Sequence, residues 1–131
     1  RHAEAHAVLS DVRRHFATAG NHHTDDEELT LFPMLREVED PELKALLDVL
    51  ETDHRVIDAM HLELDVLADR LQTRITPEDL DALRALASDL RIHYERHIRQ
   101  EDEHILPKAA ARLAPEQLEK LGFEMRRRRG V

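Results

Sequence analysis

The clearest pattern of apolar and polar positions lies in the middle of the chain. Its apolar residues recur at steps of three and four, as on one face of an amphipathic helix, at Leu43, Leu46, Leu47, Leu50, Ile57, Leu64, Ala68 and Leu71. His54 and His61 fall within the same stripe. A helix is therefore predicted over residues 42–72, and Pro41 just before it suits a first helical turn.

A second stripe predicts a helix over residues 77–112. Thr76 is suited to cap its N-terminus, and Pro77 to occupy its first position. The stripe runs through Leu80, Leu83, Leu86, Leu90, Tyr94, His97, Glu101 and Ile105. Two ionisable residues, His97 and Glu101, therefore stand where leucine would be expected.

The N-terminal part of the chain repeats this second pattern. A shift of 74 residues aligns Leu9 with Leu83, Val12 with Leu86, Phe16 with Leu90, His23 with His97, Glu27 with Glu101, Glu28 with Asp102, Leu31 with Ile105 and Pro33 with Pro107. The repeat predicts a long helix over residues 5–39. We expect it to continue through residues 19–21 despite a glycine, because the matching segment has no break. Pro33 and Pro107 should each kink or interrupt their helix.

A shorter amphipathic pattern closes the chain and predicts a helix over residues 116–128. The basic run Arg126–Arg129 is interpreted as a solvated helix end. Together these patterns predict an all-α, up-down helical bundle. It comprises three long helices plus a short C-terminal helix, in a single domain over residues 1–131.

The repeated His/Glu pairs carry the candidate chemistry. His23 and Glu27, like His97 and Glu101, are four residues apart and so share a helix face. Two such helices present two imidazoles and two carboxylates to one interior, and His54 adds a third imidazole. Burying these groups unpaired costs several kcal/mol each, which a bound cation would offset. Imidazole and carboxylate without thiolate suit non-haem iron, manganese or zinc, and carboxylates can bridge two ions.

The pattern indicates the roles of the other histidines less directly. His61 lies in the stripe of the middle helix and fits a ligand, a core residue or a hydrogen-bond donor to a ligand. The remainder are interpreted as surface residues or neighbours of the site, at His2, His6, His15, His22, His93 and His104. Within the first motif, His22, Asp25 and Asp26 are interpreted as solvated neighbours of the inward-facing pair.

A ferritin-like arrangement is a second way to build a two-metal site from this sequence. Such bundles use Glu-x-x-His, which occurs here as Glu51–His54 and Glu101–His104. These two motifs share no surrounding repeat. The 74-residue repeat therefore favours the pairs His23/Glu27 and His97/Glu101.

Composition narrows the class of protein. The chain has 131 residues, 36% of them charged, with 3 Gly and 3% aromatics, which suits a helical domain and is poor material for sheets. A net charge of −9 argues against nucleic-acid binding. The absence of Cys fits a reducing cytoplasm, and neither a membrane-spanning run nor a signal peptide is visible. Because the sequence opens on Arg1, we expect residues to precede it.

The motifs resemble the hemerythrin-like (HHE cation-binding) family over essentially the whole chain. They are H-x3-E-E-x2-L-F-P at 23–33, ETDH at 51–54 and H-x3-E-D-x2-I-L-P at 97–107, and LGFEMRRRRG at 121–130 is similar to a C-terminal extension of some bacterial members. The resemblance implies a four-helix bundle with a non-haem di-iron centre. Its ligands run as one His on the first helix, His and Glu on the second, His on the third, and His and Glu on the fourth.

By matching position, the resemblance implies the metal ligands His23, Glu27, His54, His97 and Glu101, with the two glutamates bridging two iron ions. The first helix and its His are then missing from this chain. His61 is kept as a candidate extra ligand. His15 becomes a candidate only if residues 19–21 form a turn, and another chain of a homo-oligomer could also complete the site.

The resemblance implies a function in binding dioxygen, reactive oxygen or nitric oxide species, for storage, sensing or detoxification. Two alternatives stay open: a catalase- or peroxidase-like di-iron oxidoreductase, and a non-catalytic helical interaction or sensor module whose metal is structural or absent. Tyr94, one turn before His97, fits a hydrogen-bond donor to a bound ligand or a core residue.

Overall fold

A computed structural model describes residues 21–130, without the side chain of Asn21. The predictions for His2, His6 and His15, and for a continuous helix through residues 19–21, lie outside these residues. Within the described part, the chain forms four helical segments and no strand. The all-α bundle predicted from the sequence is therefore confirmed.

Two of the four helices each contain a π-helical turn. Helix α1 consists of Asn21–Asp25, the π turn Asp26–Leu31 and Phe32–Arg36. Helix α2 is Pro41–Thr73. Helix α3 consists of Pro77–Gln100, the π turn Glu101–Ile105 and Leu106–Arg112, and helix α4 is Pro115–Arg128.

Side-chain caps and prolines define where the two longest helices begin. The Asp40 carboxylate accepts the Leu43 N–H at 3.1 Å, and the Thr76 hydroxyl accepts the Asp79 N–H at 3.2 Å. Each cap stands directly before a proline, which needs no N–H partner in the first turn. The starts of α2 and α3 thus follow from short sequence signals.

Each π turn contains the motif glutamate and ends two residues before the proline that follows it. In each, the backbone N–H before the proline bonds a carbonyl five residues back: Phe32 to Glu27, and Leu106 to Glu101. A proline inside an α-helix clashes with the carbonyl four residues earlier. The wider π turn relieves that crowding. It interrupts the α-helical hydrogen bonding just before each proline, and an α-helical segment continues beyond it.

The apolar core is divided into two clusters, one on each side of a polar layer. One joins α2 and α3 towards the loop between them, with Ile57, Leu64, Ala68, Leu71, Leu83, Ala87 and Leu90. The other joins α1, the start of α2 and the end of α3, with Leu31, Phe32, Leu35, Leu43, Leu47, Leu50, Ile105, Ala109 and Leu113. His54, His97 and Glu101 lie between the clusters along α2 and α3, and they are buried.

Helix α4 is fastened to α1 by arginines, which corrects two predictions from the sequence. Asp26 is only 5% exposed, although it was predicted to be solvated. Its Oδ1 accepts from Arg128 at 2.9 Å and its Oδ2 from Arg129 at 2.7 Å. The end of the basic run is therefore a contact with α1 where a solvated helix end was predicted. The residues involved are about a hundred positions apart, so periodicity within either segment could not reveal the pairing.

None of the helices in residues 21–130 has a stretch long and apolar enough to cross a bilayer.

Candidate metal centre

The polar layer between the two core clusters brings together residues from three helices. One donor atom from each of His23, Glu27, His97 and Glu101 lies within 4.8 Å of the others. The fifth predicted ligand, His54, joins them from α2 through its Nε2, 3.1 Å from Glu27 Oε2 and 3.1 Å from His97 Nε2. All five residues selected by the repeat and the resemblance therefore meet in one place. Four of them are buried, and the side chain of His23 is 48% exposed.

Glu27 divides its two carboxylate oxygens between different imidazoles. Its Oε1 lies 2.5 Å from His23 Nε2. Its Oε2 lies 3.1 Å from His54 Nε2 and 3.6 Å from His97 Nε2. The carboxylate thus stands between His23 on one side and the other two imidazoles on the other.

The two carboxylate oxygens of Glu101 also contact different imidazoles. Its Oε2 lies 3.0 Å from His23 Nε2, and its Oε1 contacts His97 Nε2. Both carboxylates therefore present one oxygen to His23 and the second oxygen to the side that holds His97. The layer has two halves, joined by two carboxylates.

The outer nitrogens of the two buried imidazoles face carboxylates as well. His54 Nδ1 lies 2.9 Å from Glu28 Oε1, and His97 Nδ1 lies 3.5 Å from Asp53 Oδ2. A carboxylate at Nδ1 favours a proton there and fixes the ring orientation, so that an imidazole which gives up its other proton directs the Nε2 lone pair inward. The sequence analysis gave Glu28 and Asp53 no role. The available signal was their position beside Glu27 and His54.

Several buried carboxylate oxygens of this layer make no hydrogen bond, as expected of oxygens that bind a metal. Among the described residues, neither oxygen of Glu27 has a hydrogen-bonding partner, nor does Oε1 of Glu101. Buried carboxylate oxygens are normally satisfied. Nitrogen and oxygen atoms that converge on one place, with three of the oxygens left without a hydrogen bond, are the arrangement expected of ligands around a cation.

The spacing of three donors on the His54 side of the layer is close to what a single ion would require, while His23 and Glu27 stand closer together, at 2.5 Å. Ligands held about 2.1 Å from one ion at right-angled or tetrahedral positions lie roughly 3.0–3.4 Å apart. His54 Nε2, His97 Nε2 and Glu27 Oε2 are separated by 3.1, 3.1 and 3.6 Å. The donor set contains imidazole and carboxylate and no thiolate, so it fits non-haem iron, manganese or zinc.

Electrostatics in the layer favour charged imidazoles beside charged carboxylates. The hydrogen bond to Glu101, then the contact with Glu27, raises the pKa of His23 to about 10. Burial alone would lower the pKa of His97, but Glu101 and Glu27 outweigh it and raise that pKa to about 10. Burial opposes ionisation of Glu27 too, yet the imidazoles of His23, His54 and His97 hold its pKa well below the usual range.

These pKa shifts predict that metal binding depends on pH. An imidazole must lose its proton to bind a metal, so metal displaces protons held up to about pH 10 at His23 and His97. We expect the apparent affinity for Co²⁺ to fall about tenfold per pH unit between pH 8 and pH 6 for each proton displaced. Calorimetric titration in buffers of different ionisation enthalpy measures both the affinity and the protons released. If the affinity did not change across this pH range, the assignment of these imidazoles as ligands would be contradicted.

The stability of the metal-free chain should have the opposite pH dependence. A raised imidazole pKa stabilises the folded chain fully below about pH 6.5, the ordinary value, and this contribution is lost as pH rises through about 10. Protons and metal therefore compete for the same nitrogen atoms.

His61 lies apart from the group of five. Its Nε2 is 2.7 Å from the Tyr94 hydroxyl, and the two rings meet edge to face with centroids 5.8 Å apart. Burial lowers the pKa of His61 and raises that of Tyr94, so both groups favour their neutral forms near pH 7. The structure thus pairs His61 with Tyr94 and does not bring it among the other predicted ligands.

Of the four residues of the ferritin-like alternative, His54 and Glu101 lie in the polar layer, but Glu51 and His104 do not join them. Glu51 Oε1 pairs with Arg36 at 3.1 Å, and the side chain of His104 is 58% exposed. His22 and Asp25 are exposed, as predicted, and His93 is half-buried.

Comparison with known proteins agrees with the geometry of the layer. An uncharacterized protein of Haemophilus influenzae is 31% identical over 134 residues, an alignment that covers 100% of this chain and 75% of the relative. No solved structure gives a significant match. The hemerythrin HHE cation-binding domain, as a family, matches residues 1–109. The chain therefore belongs to the hemerythrin HHE cation-binding domain family.

Proposed function

We propose that this chain holds two non-haem iron ions bridged by Glu27 and Glu101 and uses them to bind a small oxygen or nitrogen oxide ligand. The observation that carries the proposal is that the two oxygens of each carboxylate contact different imidazoles. Each glutamate presents one oxygen towards His23 and the other towards His97. Two carboxylates shared between two sets of imidazoles are suited to bridge a pair of ions.

The two proposed positions have different ligands. One position has the ligands His23 Nε2, Glu27 Oε1 and Glu101 Oε2. The nitrogen lies 2.5 Å from the Glu27 oxygen and 3.0 Å from the Glu101 oxygen. The other takes His54 Nε2 and His97 Nε2 with the remaining oxygen of each glutamate. The second position has two buried imidazoles whose Nδ1 atoms are held by Glu28 and Asp53, and so it should bind its ion more rigidly.

A pair of bound non-haem irons supplies a redox-active centre that can take dioxygen, peroxide or nitric oxide. The protein's own residues determine access to it. The half-exposed imidazole of His23 lies on the open side of the layer. On the other side, the buried ring of Phe32 stacks on His54 with ring centroids 5.9 Å apart and covers that face of the imidazole. A small ligand would therefore approach from the side of His23.

Metal analysis of protein purified without added metal tests the proposal. We expect about two irons per chain and a visible absorption band from an oxygen-bridged iron pair. His54→Ala should lower the iron content far more than His22→Ala, because His54 is 4% exposed and faces Glu27 while His22 is exposed. The two variants remove the same side chain, so His22→Ala is the matched control.

Three outcomes would contradict the proposal. Zinc alone, or no metal, would exclude an iron centre. One iron per chain would exclude the two-ion arrangement. Equal loss of iron in His54→Ala and His22→Ala would mean that the inward face has been misassigned.

Adding excess peroxide to the iron-loaded protein distinguishes binding from turnover. A binding protein removes a stoichiometric amount of peroxide, whereas an oxidoreductase continues to consume it.

A further inference from the structure

A cluster of charged residues outside the metal centre fastens the C-terminal end of the chain to the π turn of α1. Asp26 is 5% exposed, and its two oxygens are both occupied, by Arg128 at 2.9 Å and by Arg129 at 2.7 Å. Arg128 also donates from its second terminal nitrogen to the Thr30 hydroxyl. The Arg128 side chain is only 12% exposed, so this contact is well shielded from water.

The location of these contacts connects them to the metal centre. Asp26 and Thr30 are both buried residues of the π turn Asp26–Leu31, and Glu27 lies between them in the same turn. The guanidinium of Arg128 is planar and rigid, so two bonds from it fix the distance and orientation of the two groups that it joins. The backbone segment that carries Glu27 is therefore held at both ends by one side chain.

Within residues 21–130, helix α4 is packed lightly against the other helices. It contributes no buried residue, and Phe123 and Leu118 are 57% and 39% exposed. Among the described residues, Leu121 packs against the core cluster of α1, α2 and α3, and Arg128 and Arg129 bind Asp26 of α1. Removing the arginine contacts should therefore change the π turn of α1 before it changes the core.

We infer that Arg128 is a positioning residue of the metal centre: through Asp26 and Thr30 it holds the π turn that presents Glu27, so that metal affinity depends on a residue at the far end of the chain. The inference rests on the proposed function, in which Glu27 bridges the two ions. Glu27 lies 2.5 Å from His23 and 3.1 Å from His54, so a small rotation of the turn would misplace both of its oxygens.

Cobalt titration of Arg128→Met tests the inference. We expect the affinity for Co²⁺ to fall about tenfold, the lower end of the range for residues that orient metal ligands. The visible spectrum of the loaded variant should also change, because the geometry around the ion changes. Arg127→Met is the matched control. In the part of the chain that the structure describes, Arg127 pairs with Glu124 one turn away and its side chain is 64% exposed, so its loss should leave affinity and spectrum unchanged.

Two further variants separate positioning from general stabilisation of α4. Arg128→Lys keeps the charge but lacks the planar pair of donors, so it should restore affinity only in part. Asp26→Asn weakens the same contact by changing the residue on α1, and it leaves the residues of α4 unchanged. It should weaken Co²⁺ binding about as much as Arg128→Met, and the double variant should lose little more. All titrations are made well below the unfolding temperature of each variant, which is followed by circular dichroism.

The outcomes distinguish this inference from the proposed function. Wild-type protein that binds no metal would overturn the proposed function and the inference with it. Wild-type binding that is unchanged in affinity and spectrum in Arg128→Met and Asp26→Asn would overturn the inference alone. If Arg128→Met fails to fold, Asp26→Asn decides the matter. Additive losses in the double variant would show that Arg128 and Asp26 act separately and would also overturn it.

Discussion

Glu27→Gln is expected to remove nearly all bound metal from the protein. Glu27 is 2% exposed and lies within reach of three imidazoles, at 2.5 Å from His23, 3.1 Å from His54 and 3.6 Å from His97. If it bridges two ions, its loss weakens both positions at once, whereas loss of one imidazole weakens one. An amide keeps the shape of the side chain and loses the charge that attracts the cations.

Metal content by elemental analysis measures the effect, and Asp25→Asn is the matched control. Asp25 is two residues away on the same helix and exposed, and it makes the same change from carboxylate to amide. The control should retain wild-type metal content. A Glu27→Gln protein that still holds two ions would exclude Glu27 as a bridge, and one that holds a single ion would limit its role to one position.

Phe32→Ala is expected to lower the free energy of unfolding by about 3–5 kcal/mol. Phe32 is 0% exposed in the core cluster of α1, α2 and α3, and its ring stacks on His54 at an interplanar angle of 7°. Truncation to alanine removes its packing and leaves a cavity next to the polar layer. Since whole domains are stable by about 5–15 kcal/mol, the loss is a large fraction of the total.

Urea denaturation measures this change, and Phe123→Ala provides the comparison. Phe123 is 57% exposed on α4, so its truncation should change the free energy of unfolding by no more than about 0.5 kcal/mol. Similar losses for both variants would contradict the description of Phe32 as a core residue. The Phe32 variant should also bind metal less tightly, because His54 loses the ring that limits its rotation.

The fold followed from the sequence where the signals are local. The apolar steps through Leu43, Leu50 and Leu64 predicted α2, and Thr76–Pro77 marked the start of α3. Helix formation and capping depend on residues within a turn or two, so one segment contains enough information to predict its own helix. The predicted ends of α2 and α3 lie within a residue of those in the structure.

The group of five candidate ligands could also be predicted, because the 74-residue repeat supplies what a single motif lacks. One His-x3-Glu pair is common on exposed helix surfaces. Two copies in register, with His54 between them, imply that two helices turn the same kind of face towards a third.

Features that depend on distant partners could not be predicted. The burial of Asp26 requires Arg128, which is 102 residues later and lies in a segment whose composition indicates a solvated helix end. His61 shares the stripe of His54, yet its partner is Tyr94 of α3, and periodicity does not reveal which inward residue a histidine will meet. The π turns were missed for a different reason. A proline indicates local crowding, and sequence alone does not say whether the helix relieves it by bending or by widening.

The π turns have a consequence for how the two helices tolerate changes in length. Glu27 precedes Pro33 by six residues, and Glu101 precedes Pro107 by the same number. Each wide turn accommodates one residue more than an α-helical path would, and each successive residue turns a helix by about 100°. Deleting one residue between glutamate and proline would therefore convert the wide turn to an α-helical path and keep the glutamate on the same face as Leu35 or Ala109, but it would restore the clash between the proline and the carbonyl four residues earlier. The extra residue in each interval thus allows a proline in a helix that carries a buried glutamate.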